Sequence, residues 1–362
     1  MHEIITLDDM DKRIIHVLQI QPRAPWKLVA AIVSSDPTTV MRRWRRMVDA
    51  GAAWIAAYPP FGAAATLSLV EVGCAHGRTL EVASRLAMDP QVMSLNVHAG
   101  HRDLLVEVIG ADVRQISNYL LEHLALVEGI RWTRAHSVIA SYADGNDWRM
   151  GALGRADERR LVGSGNRPVD FAGGKTSAAR PTLSIAEEEV AHVLAGDPRI
   201  SLTDLAKTLN VSVTTARRRL DAVLRAQPML RCEVAQTLSG WPVHATFFFR
   251  CPADRVDPTG QALAKLPEVR AAMTTTGPHN LFVAVWLRSL GDVQRLEVEL
   301  TTNLPHLVVV DRTLEIRPIK RIGHLLDKDG WTTARIPIEL GSPASAANQR
   351  EIEGRPSELS TD

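Results

Sequence analysis

Four arginines and two threonines lie in one short stretch of this sequence, and their side chains are suited to binding anions. Arginine presents a planar set of donors that matches phosphate oxygens and the edge of guanine. Thr39, Arg42, Arg43 and Arg46 would share one face of a helix over 37–50. We predict base contacts by Thr38, Thr39 and Arg43 and phosphate contacts by Arg42, Arg45 and Arg46. A plain solvated basic face is the alternative.

The opposite face of this helix is apolar, so it should pack on a core. Val40, Trp44, Met47 and Val48 form that stripe. Asp36 can cap the helix, Pro37 suits its first position, and Gly51 suits its end.

Two helices predicted before it, over 7–20 and 25–34, complete a helix-turn-helix. The stretch 52–58 is then expected to form a wing strand.

The sequence repeats itself. LVAAIVSSDPTTVMRRWRRMV at 28–48 aligns with DLAKTLNVSVTTARRRLDAVL at 204–224, and VHAGHRDLLVEV at 97–108 aligns with TTTGPHNLFVAV at 274–285. Both motifs are displaced by nearly the same number of residues, which indicates duplication of a whole unit. One chain would then carry what a symmetric dimer carries in two.

The second copy of the arginine-rich helix is weaker. The DNA contacts predicted in it are Thr214, Thr215, Arg217, Arg218 and Arg219. Asp221 and Ala222 replace Arg45 and Arg46. This half is expected to bind a degenerate half-site or mainly to support structure.

The order of predicted elements indicates an α+β protein built from two repeated units. After each helix-turn-helix, the strands and helices follow the order βαββαβ, which is a ferredoxin-like arrangement. The predicted parts are a helix-turn-helix domain at 1–60, a ferredoxin-like domain at 61–141, a flexible linker at 142–181, a second helix-turn-helix domain at 182–240, a second ferredoxin-like domain at 241–328 and a tail at 329–362.

Composition excludes several classes of protein. The chain has 362 residues and a net charge of +1, so any basic surface must be local. Three scattered cysteines support neither a disulfide framework nor a zinc site. No apolar run approaches a membrane span, and a cytoplasmic protein is expected.

No catalytic set is evident from the sequence, and no enzyme activity or cofactor is predicted. His98 and His101 have the HxxH spacing of metal ligands, and Asp103 lies nearby in the sequence. Because alternating residues of a strand face opposite ways and no third ligand is evident on one face, no metal site is predicted.

The motifs resemble those of the Lrp/AsnC (feast/famine) transcriptional regulators. The opening LDDMDKRIIHVL and the segment SSDPTTVMRRWRRMVDAG resemble the helix-turn-helix of that family. VHAGHRDLLVEV resembles its effector-domain signature through Gly100, Asp103, Leu104 and Val106. The chain departs from the pattern at Asp36 and Trp44. Members usually carry one such unit, so this chain resembles a tandem form.

The resemblance implies a DNA-binding regulator whose two effector domains pair within one chain and hold a small molecule, usually an amino acid, at their junction. Further self-association into dimers or higher oligomers is also implied. Transferred to this sequence, the effector-binding residues are Gly100, His101 and Asp103 in the first unit and Gly277, His279 and Asn280 in the second. The same residues would also suit simple hairpin turns.

Two other functions are considered. Siroheme decarboxylases resemble the same two-domain plan and place His, Tyr and Arg around a tetrapyrrole. Here the corresponding stretches HAGHRDLL and TTGPHNLF lack tyrosine but keep His101 and His279. A sensing module that does not touch DNA is the other alternative, because the second recognition helix is eroded.

Overall fold

The computed structural model describes residues 5–58, 65–162, 183–226 and 230–340. The first helix-turn-helix matches the prediction closely. Asp8 caps the first helix through the backbone N–H of Asp11, and Asp36 caps the third through that of Thr39. Gly51 follows the third helix with a φ of +74°. The helices are α1 (Asp9–Ile20), α2 (Trp26–Val33) and α3 (Pro37–Asp49).

The strand predicted as a wing over 52–58 is present after α3. Strand β1 (Ala53–Ala57) is buried along its whole length. It pairs antiparallel with Leu230–Val234, a strand of the second unit that the sequence analysis did not predict. The pairing with the second unit was not predicted, and because of it Trp54, Ile55 and Ala56 are all buried. We call this two-stranded sheet the hinge ribbon.

The first ferredoxin-like domain follows the predicted βαββαβ order. Its elements are β2 (Thr66–Cys74), α4 (Thr79–Ala87), β3 (Val92–Ala99), β4 (Leu104–Gly110), α5 (Val113–Asn118) and β5 (Ile130–Ala143), followed by α6 (Arg155–Val162). One π-helical turn and one 3₁₀ turn extend α5 to Leu126.

The second unit repeats this plan. Its helix-turn-helix is formed by α7 (Ile185–Gly196), α8 (Leu202–Thr208) and α9 (Val213–Ala226), and the hinge strand β6 (Leu230–Val234) follows. Its second domain consists of β7 (Val243–Arg250), α10 (Val256–Leu263), β8 (Val269–Thr275), β9 (Leu281–Leu287), α11 (Gly291–Asn303) and β10 (Val308–Arg321), and β11 (His324–Leu326) and β12 (Thr332–Arg335) complete the described chain.

The two ferredoxin-like sheets join along both edges. Strand β5 pairs with β8, and β3 pairs with β10, all antiparallel. Because β10 also pairs with β7, the order β10-β3-β4-β2-β5-β8-β9-β7 returns to its start in a closed sheet. Helices cover the outer faces, while an apolar cluster from both units, including Leu69, Phe248 and Phe282, lies inside. The predicted intramolecular pairing is therefore present.

The predicted flexible linker and the predicted C-terminal tail both contain folded elements. In the predicted linker 142–181, Tyr142 and Ala143 end β5, and α6 packs on α1. Trp148 drives this order because its indole is buried in the core shared by both helix-turn-helix domains. In the predicted tail 329–362, Trp331 is buried and β12 pairs with β11. The rest of both segments, 163–181 and 341–362, lies outside the described residues.

The two helix-turn-helix domains also hold each other directly. Arg23 donates to the carbonyls of Pro198 and Ile200, and Arg199 donates to those of Pro22 and Ala24. Each arginine repeats the role of the other across a local two-fold axis, which fixes the relative position of α3 and α9. Across the described ranges, no helix is both long and apolar enough to cross a membrane.

A buried ion network ties the hinge ribbon to the closed sheet. Glu233 of β6 pairs with Arg231 and accepts from Arg270 of β8 at 2.6 Å. These cations outweigh the effect of burial and lower the pKa of Glu233. The helix-turn-helix pair is therefore anchored to the sheet by charge as well as by apolar contact.

A second buried carboxylate extends this network. Glu315 lies opposite His98 on one neighbouring strand and His244 on the other. Burial alone would raise its pKa, but His244, Arg321 and His98 outweigh burial and hold the pKa at about 2.

We expect Gly51→Ala to destabilise the fold far more than Gly151→Ala. Both glycines have a φ of +74°, so the backbone strain, about 1–2 kcal/mol, is common to both. A Cβ at Gly51 would clash with the carbonyl of Thr332, whereas a Cβ at Gly151 meets nothing within 4 Å. Urea unfolding measures the loss in free energy of unfolding for each variant. Equal losses would show that the backbone of Thr332 does not pack against Gly51.

We expect Glu315→Gln to flatten the acid denaturation profile. A lowered folded-state pKa gives stability that is present above the usual value of 4.5 and lost as the pH falls towards 2. As the pH falls across that window, the free energy of unfolding of the glutamine variant should decrease by about 2–3 kcal/mol less than that of the wild type. Chemical denaturation between pH 2 and 5 tests this, with the exposed Glu299→Gln as the control. Identical profiles for all three proteins would contradict it.

Candidate functional site: the recognition helices and the junction cluster

The arginine face of α3 is largely open to solvent. Thr38, Arg42, Arg45 and Arg46 are exposed, while Thr39 and Arg43 are half-buried. Val40, Trp44 and Met47 face the core as predicted, but Val48 is 39% exposed at the edge of that stripe. The structure therefore brings the predicted basic residues together on one accessible surface.

Two arginines of this surface are engaged within the protein. Arg43 pairs with Asp8 at 2.6 Å and with the fully buried Asp11 at 3.0 Å, and Arg46 pairs with Asp11 at 2.7 Å. The hydrogen bonds to these two acids raise the pKa of Arg43. In the second unit Arg219, the counterpart of Arg43, lies 3.6 Å from Glu189 of α7. Because the contact recurs, this arginine ties each recognition helix to the first helix of its domain.

The second recognition helix keeps an accessible basic face. Thr214, Arg217 and Arg218 are exposed on α9, while Thr215 is half-buried. Thr215 contacts the hydroxyl of Ser212 at the helix start. Among the described residues no ion pair involves Arg42, Arg45, Arg217 or Arg218, so the charges of these four arginines are available for binding.

The junction of the two ferredoxin-like domains buries a polar cluster that sequence reasoning did not identify as a whole. Glu71 of β2, Arg102 of the β3–β4 turn, His136 of β5 and His279 of the β8–β9 turn form what we call the junction cluster. Each is at most 5% exposed. Arg102 donates to Glu71 at 2.8 Å and to Thr313 of the second unit at 2.5 Å, and it lies over the ring of Phe248.

The two predicted glycines approach the opposite unit. Gly100 has a φ of +152°, and a Cβ there would lie 2.6 Å from Cγ2 of Thr313. Gly277 has a φ of +108°, and a Cβ there would lie 2.8 Å from Nδ1 of His136. Glycine is required at both turns because each turn is pressed against a strand of the other unit.

Asp103 and Asn280 fasten these turns to their own domains. Asp103 accepts from the N–H of Cys74 at 2.7 Å. Asn280 accepts from the N–H of Cys251 and donates to its carbonyl. Asp103 and Asn280, both predicted as effector-binding residues, therefore perform the same bracing role in the two units.

His101 and His279 occupy different surroundings. The side chain of His101 is 49% exposed and lies 3.2 Å from Glu71 and 3.5 Å from Asp311. His279 is buried against His136 and Phe248, with ring centroids 4.8 Å and 4.4 Å away. Burial and then the neighbouring His136 lower the pKa of His279. Only His279 of this pair belongs to the buried cluster.

Glu71 is the charge on which the junction cluster depends. Burial raises its pKa, but His136 and Arg102 outweigh that effect and hold the pKa at about 2. A sequence signal was present, because a lone carboxylate interrupts the apolar strand TLSLVEVGC. His136 and Arg102 gave no comparable signal, since their partners come from distant parts of the chain.

Comparison with known families agrees with these features. Residues 7–48 match the model of the AsnC-type helix-turn-helix domain, and residues 67–148 match that of the Lrp/AsnC ligand binding domain. In the second unit, residues 192–226 match a winged helix-turn-helix DNA-binding model.

Individual relatives cover one unit each. An uncharacterized HTH-type transcriptional regulator of Pyrococcus furiosus is 30% identical over 138 residues, which is 37% of this chain and 93% of that protein. The regulator AldR of Mycolicibacterium smegmatis is 27% identical over 33% of this chain and 72% of its own length.

A solved structure covers both units. The siroheme decarboxylase NirDL, in complex with an iron-uroporphyrin III analogue, aligns over 96% of this chain and 99% of that chain with a TM-score of 0.57. At 13% identity this likeness shows the tandem fold alone. Taken with the paired helix-turn-helix domains and the sequence matches, these findings place the chain in the Lrp/AsnC family of HTH-type transcriptional regulators, as a tandem form with two units.

Proposed function

We propose that the two recognition helices bind two half-sites on one face of a DNA duplex. This proposal rests on the reciprocal contacts of Arg23 and Arg199, which hold α3 and α9 at a fixed distance and orientation within one chain. Half-sites would lie about one helical turn, or a multiple of it, apart. Because the two helices differ in sequence, the operator should be an imperfect palindrome.

Specific residues carry this binding. Arg42 and Arg45 of α3 and Arg217 and Arg218 of α9 are exposed and contact phosphates. Thr38 and Thr214, near the starts of the two helices, face the base edges. Arg43, Arg46 and Arg219 orient the two recognition helices by pairing with acidic side chains of α1 and α7. A DNA phosphate competes with those carboxylates for the guanidinium groups.

The proposed effector is a small molecule, such as an amino acid, held at the junction of the ferredoxin-like domains. The match to a ligand-binding family model supports this site. The half-exposed His101 and Arg134 beside Glu71 offer polar contacts, and the turns at Gly100 and Gly277 offer backbone groups. The effector acts in the cytoplasm by favouring one arrangement of the chains over another, including their self-association.

We expect Arg42→Ala to weaken binding to every duplex by a similar factor. Losing one phosphate contact should lower the slope of log affinity against log salt by about one unit. Fluorescence anisotropy measures this on a duplex selected from genomic fragments and on a scrambled duplex, with and without a panel of amino acids.

Arg114→Ala is the matched control for this experiment, because Arg114 is an exposed arginine on α5, away from both recognition helices. It should leave affinity and salt slope unchanged. A wild-type chain without salt-dependent affinity for any duplex, or an Arg114→Ala loss equal to that of Arg42→Ala, would refute the assignment.

Tetrapyrrole decarboxylation is a second candidate function. Two observations favour testing it, namely the whole-chain likeness to NirDL and the buried histidines and arginine of the junction cluster. We favour regulation without catalysis because the cluster side chains contact one another and the arginine faces of α3 and α9 remain exposed.

Adding siroheme to the purified chain separates the two functions. We expect no shift of the Soret band and no decarboxylated product by mass spectrometry, while binding to the selected duplex persists. The spectrum of siroheme with bovine serum albumin controls for unspecific adsorption. A saturable Soret shift with product formation, in a chain that binds no duplex, would establish the decarboxylase instead.

A further inference from the structure

His279 is a buried histidine without hydrogen-bond partners. It is 5% exposed, and within the part of the chain that the structure describes neither of its ring nitrogens meets a donor or an acceptor. Imidazole nitrogens that lose water on burial are almost always paired. The two ring nitrogens of His279 face a polar cluster and have no partner among the described residues there. They therefore indicate a ligand that the protein atoms do not supply.

The neighbouring His136 is oriented as a ligand of a cation. Its Nδ1 lies 3.2 Å from the carbonyl of Thr276, and since a carbonyl only accepts, Nδ1 carries the hydrogen. Its Nε2 lies 2.8 Å from Oε1 of Glu71, the contact through which His136 lowers the pKa of that carboxylate. A divalent cation would bind these two atoms in place of the proton that they share, because metal ligands bind in their deprotonated form. A histidine held at Nδ1 by a backbone carbonyl is the usual second-shell arrangement of metal sites.

The two carboxylate oxygens of Glu71 have different partners. Oε2 accepts from Arg102 and lies near His101, whereas Oε1 faces His136. The charge of Arg102 is also met by Asp311 at 2.8 Å. Oε1 also has the exposed Arg134 at 3.8 Å, and a metal ion would take the place of that distant contact while Arg102 stays paired with Oε2 and with Asp311.

We propose that Glu71, His136 and His279 form a binding site for a divalent transition metal ion at the junction of the two units. One ligand atom from each residue lies within 4.8 Å of the others, and all three residues are buried. Ligands around tetrahedral zinc lie about 3.3 Å apart, since each bond is about 2.0 Å long, so small side-chain rotations complete the geometry.

The donor set selects the kind of ion. Two imidazoles and one carboxylate suit Zn²⁺ or Co²⁺, whereas Mg²⁺ and Ca²⁺ prefer oxygen ligands throughout. Three protein ligands leave a fourth position for water or for an incoming oxygen or nitrogen donor.

The site joins the two repeats. Glu71 and His136 belong to the first unit and His279 to the second, so the bound ion cross-links the domains at their shared edge. The half-exposed His101, 3.2 Å from Glu71, connects the buried ligands with solvent and marks a path of entry.

Titration of the chelator-treated full chain with Co²⁺ tests this site. We expect about one ion per chain by equilibrium dialysis, visible ligand-field bands of a nitrogen–oxygen site, loss of those bands on adding Zn²⁺, and a raised Tm. X-ray absorption of the zinc-loaded wild type should show two imidazoles in the first shell, a readout that needs no variant.

His279→Ala should bind at least about 100-fold more weakly, because it removes a direct ligand. It breaks no internal hydrogen bond, so its metal-free Tm should stay near that of the wild type. His192→Ala, at an exposed histidine on α7, is the matched control and should bind like the wild type.

Absence of saturable binding to the wild type would overturn the proposal and would identify the contact between His136 and Glu71 as a plain ion pair. Equal affinity of His279→Ala and the wild type would also overturn it. If His279→Ala fails to fold, the metal affinity of His279→Gln and the X-ray absorption spectrum of the zinc-loaded wild type test the proposal instead. DNA binding enters none of these measurements, so the result does not depend on the proposed regulatory function.

Discussion

Pairing of open strand edges is the constraint on which the rest of this protein depends. A ferredoxin-like sheet leaves strands at both sides with unpaired N–H and C=O groups, which must find partners or attract other chains. Here β5 pairs with β8 and β3 with β10, so each unit satisfies the edges of the other. Duplication within one chain makes this closure independent of protein concentration, unlike the pairing of separate subunits.

Closure brings together residues that lie far apart in the sequence. The turn at Gly100 meets Thr313, and the turn at Gly277 meets His136, so both junctions are built from the same two structural elements. The repeats have diverged there. Glu71 of β2 corresponds to Phe248 of β7 in matching register, and Arg102 corresponds to His279. One asymmetric polar cluster results, instead of two equal pockets.

The same closure positions the helix-turn-helix pair. The hinge ribbon of β1 and β6 is buried between the helices and the closed sheet, and Glu233 links it to Arg270 of the sheet. A ligand or metal ion that alters the junction of the domains therefore acts on a body to which both recognition helices are attached. The coupling requires a difference in binding free energy between two arrangements, not merely this proximity.

Local sequence determined the elements and the duplication. The cap at Asp36, the apolar stripe through Trp44 and the glycine at 51 depend on residues within a few positions of one another, so their pattern predicted α3 correctly. The helical periodicity of 7–20 predicted α1 for the same reason. The order βαββαβ was readable for the same reason, because strand and helix periodicities are local. Repetition at a nearly constant spacing revealed the two units without any structure.

Tertiary structure alone decided the surroundings of the charged residues. Nothing in the local sequence shows that Asp8 and Asp11 lie beside Arg43, or that β6 of the second unit pairs with the wing strand β1. Glu71, His136 and His279 are separated by 65 and 143 residues along the chain, so no local pattern could group them. Such contacts arise only when the sheet closes, since it is the pairing of distant edges that sets which side chains face each other.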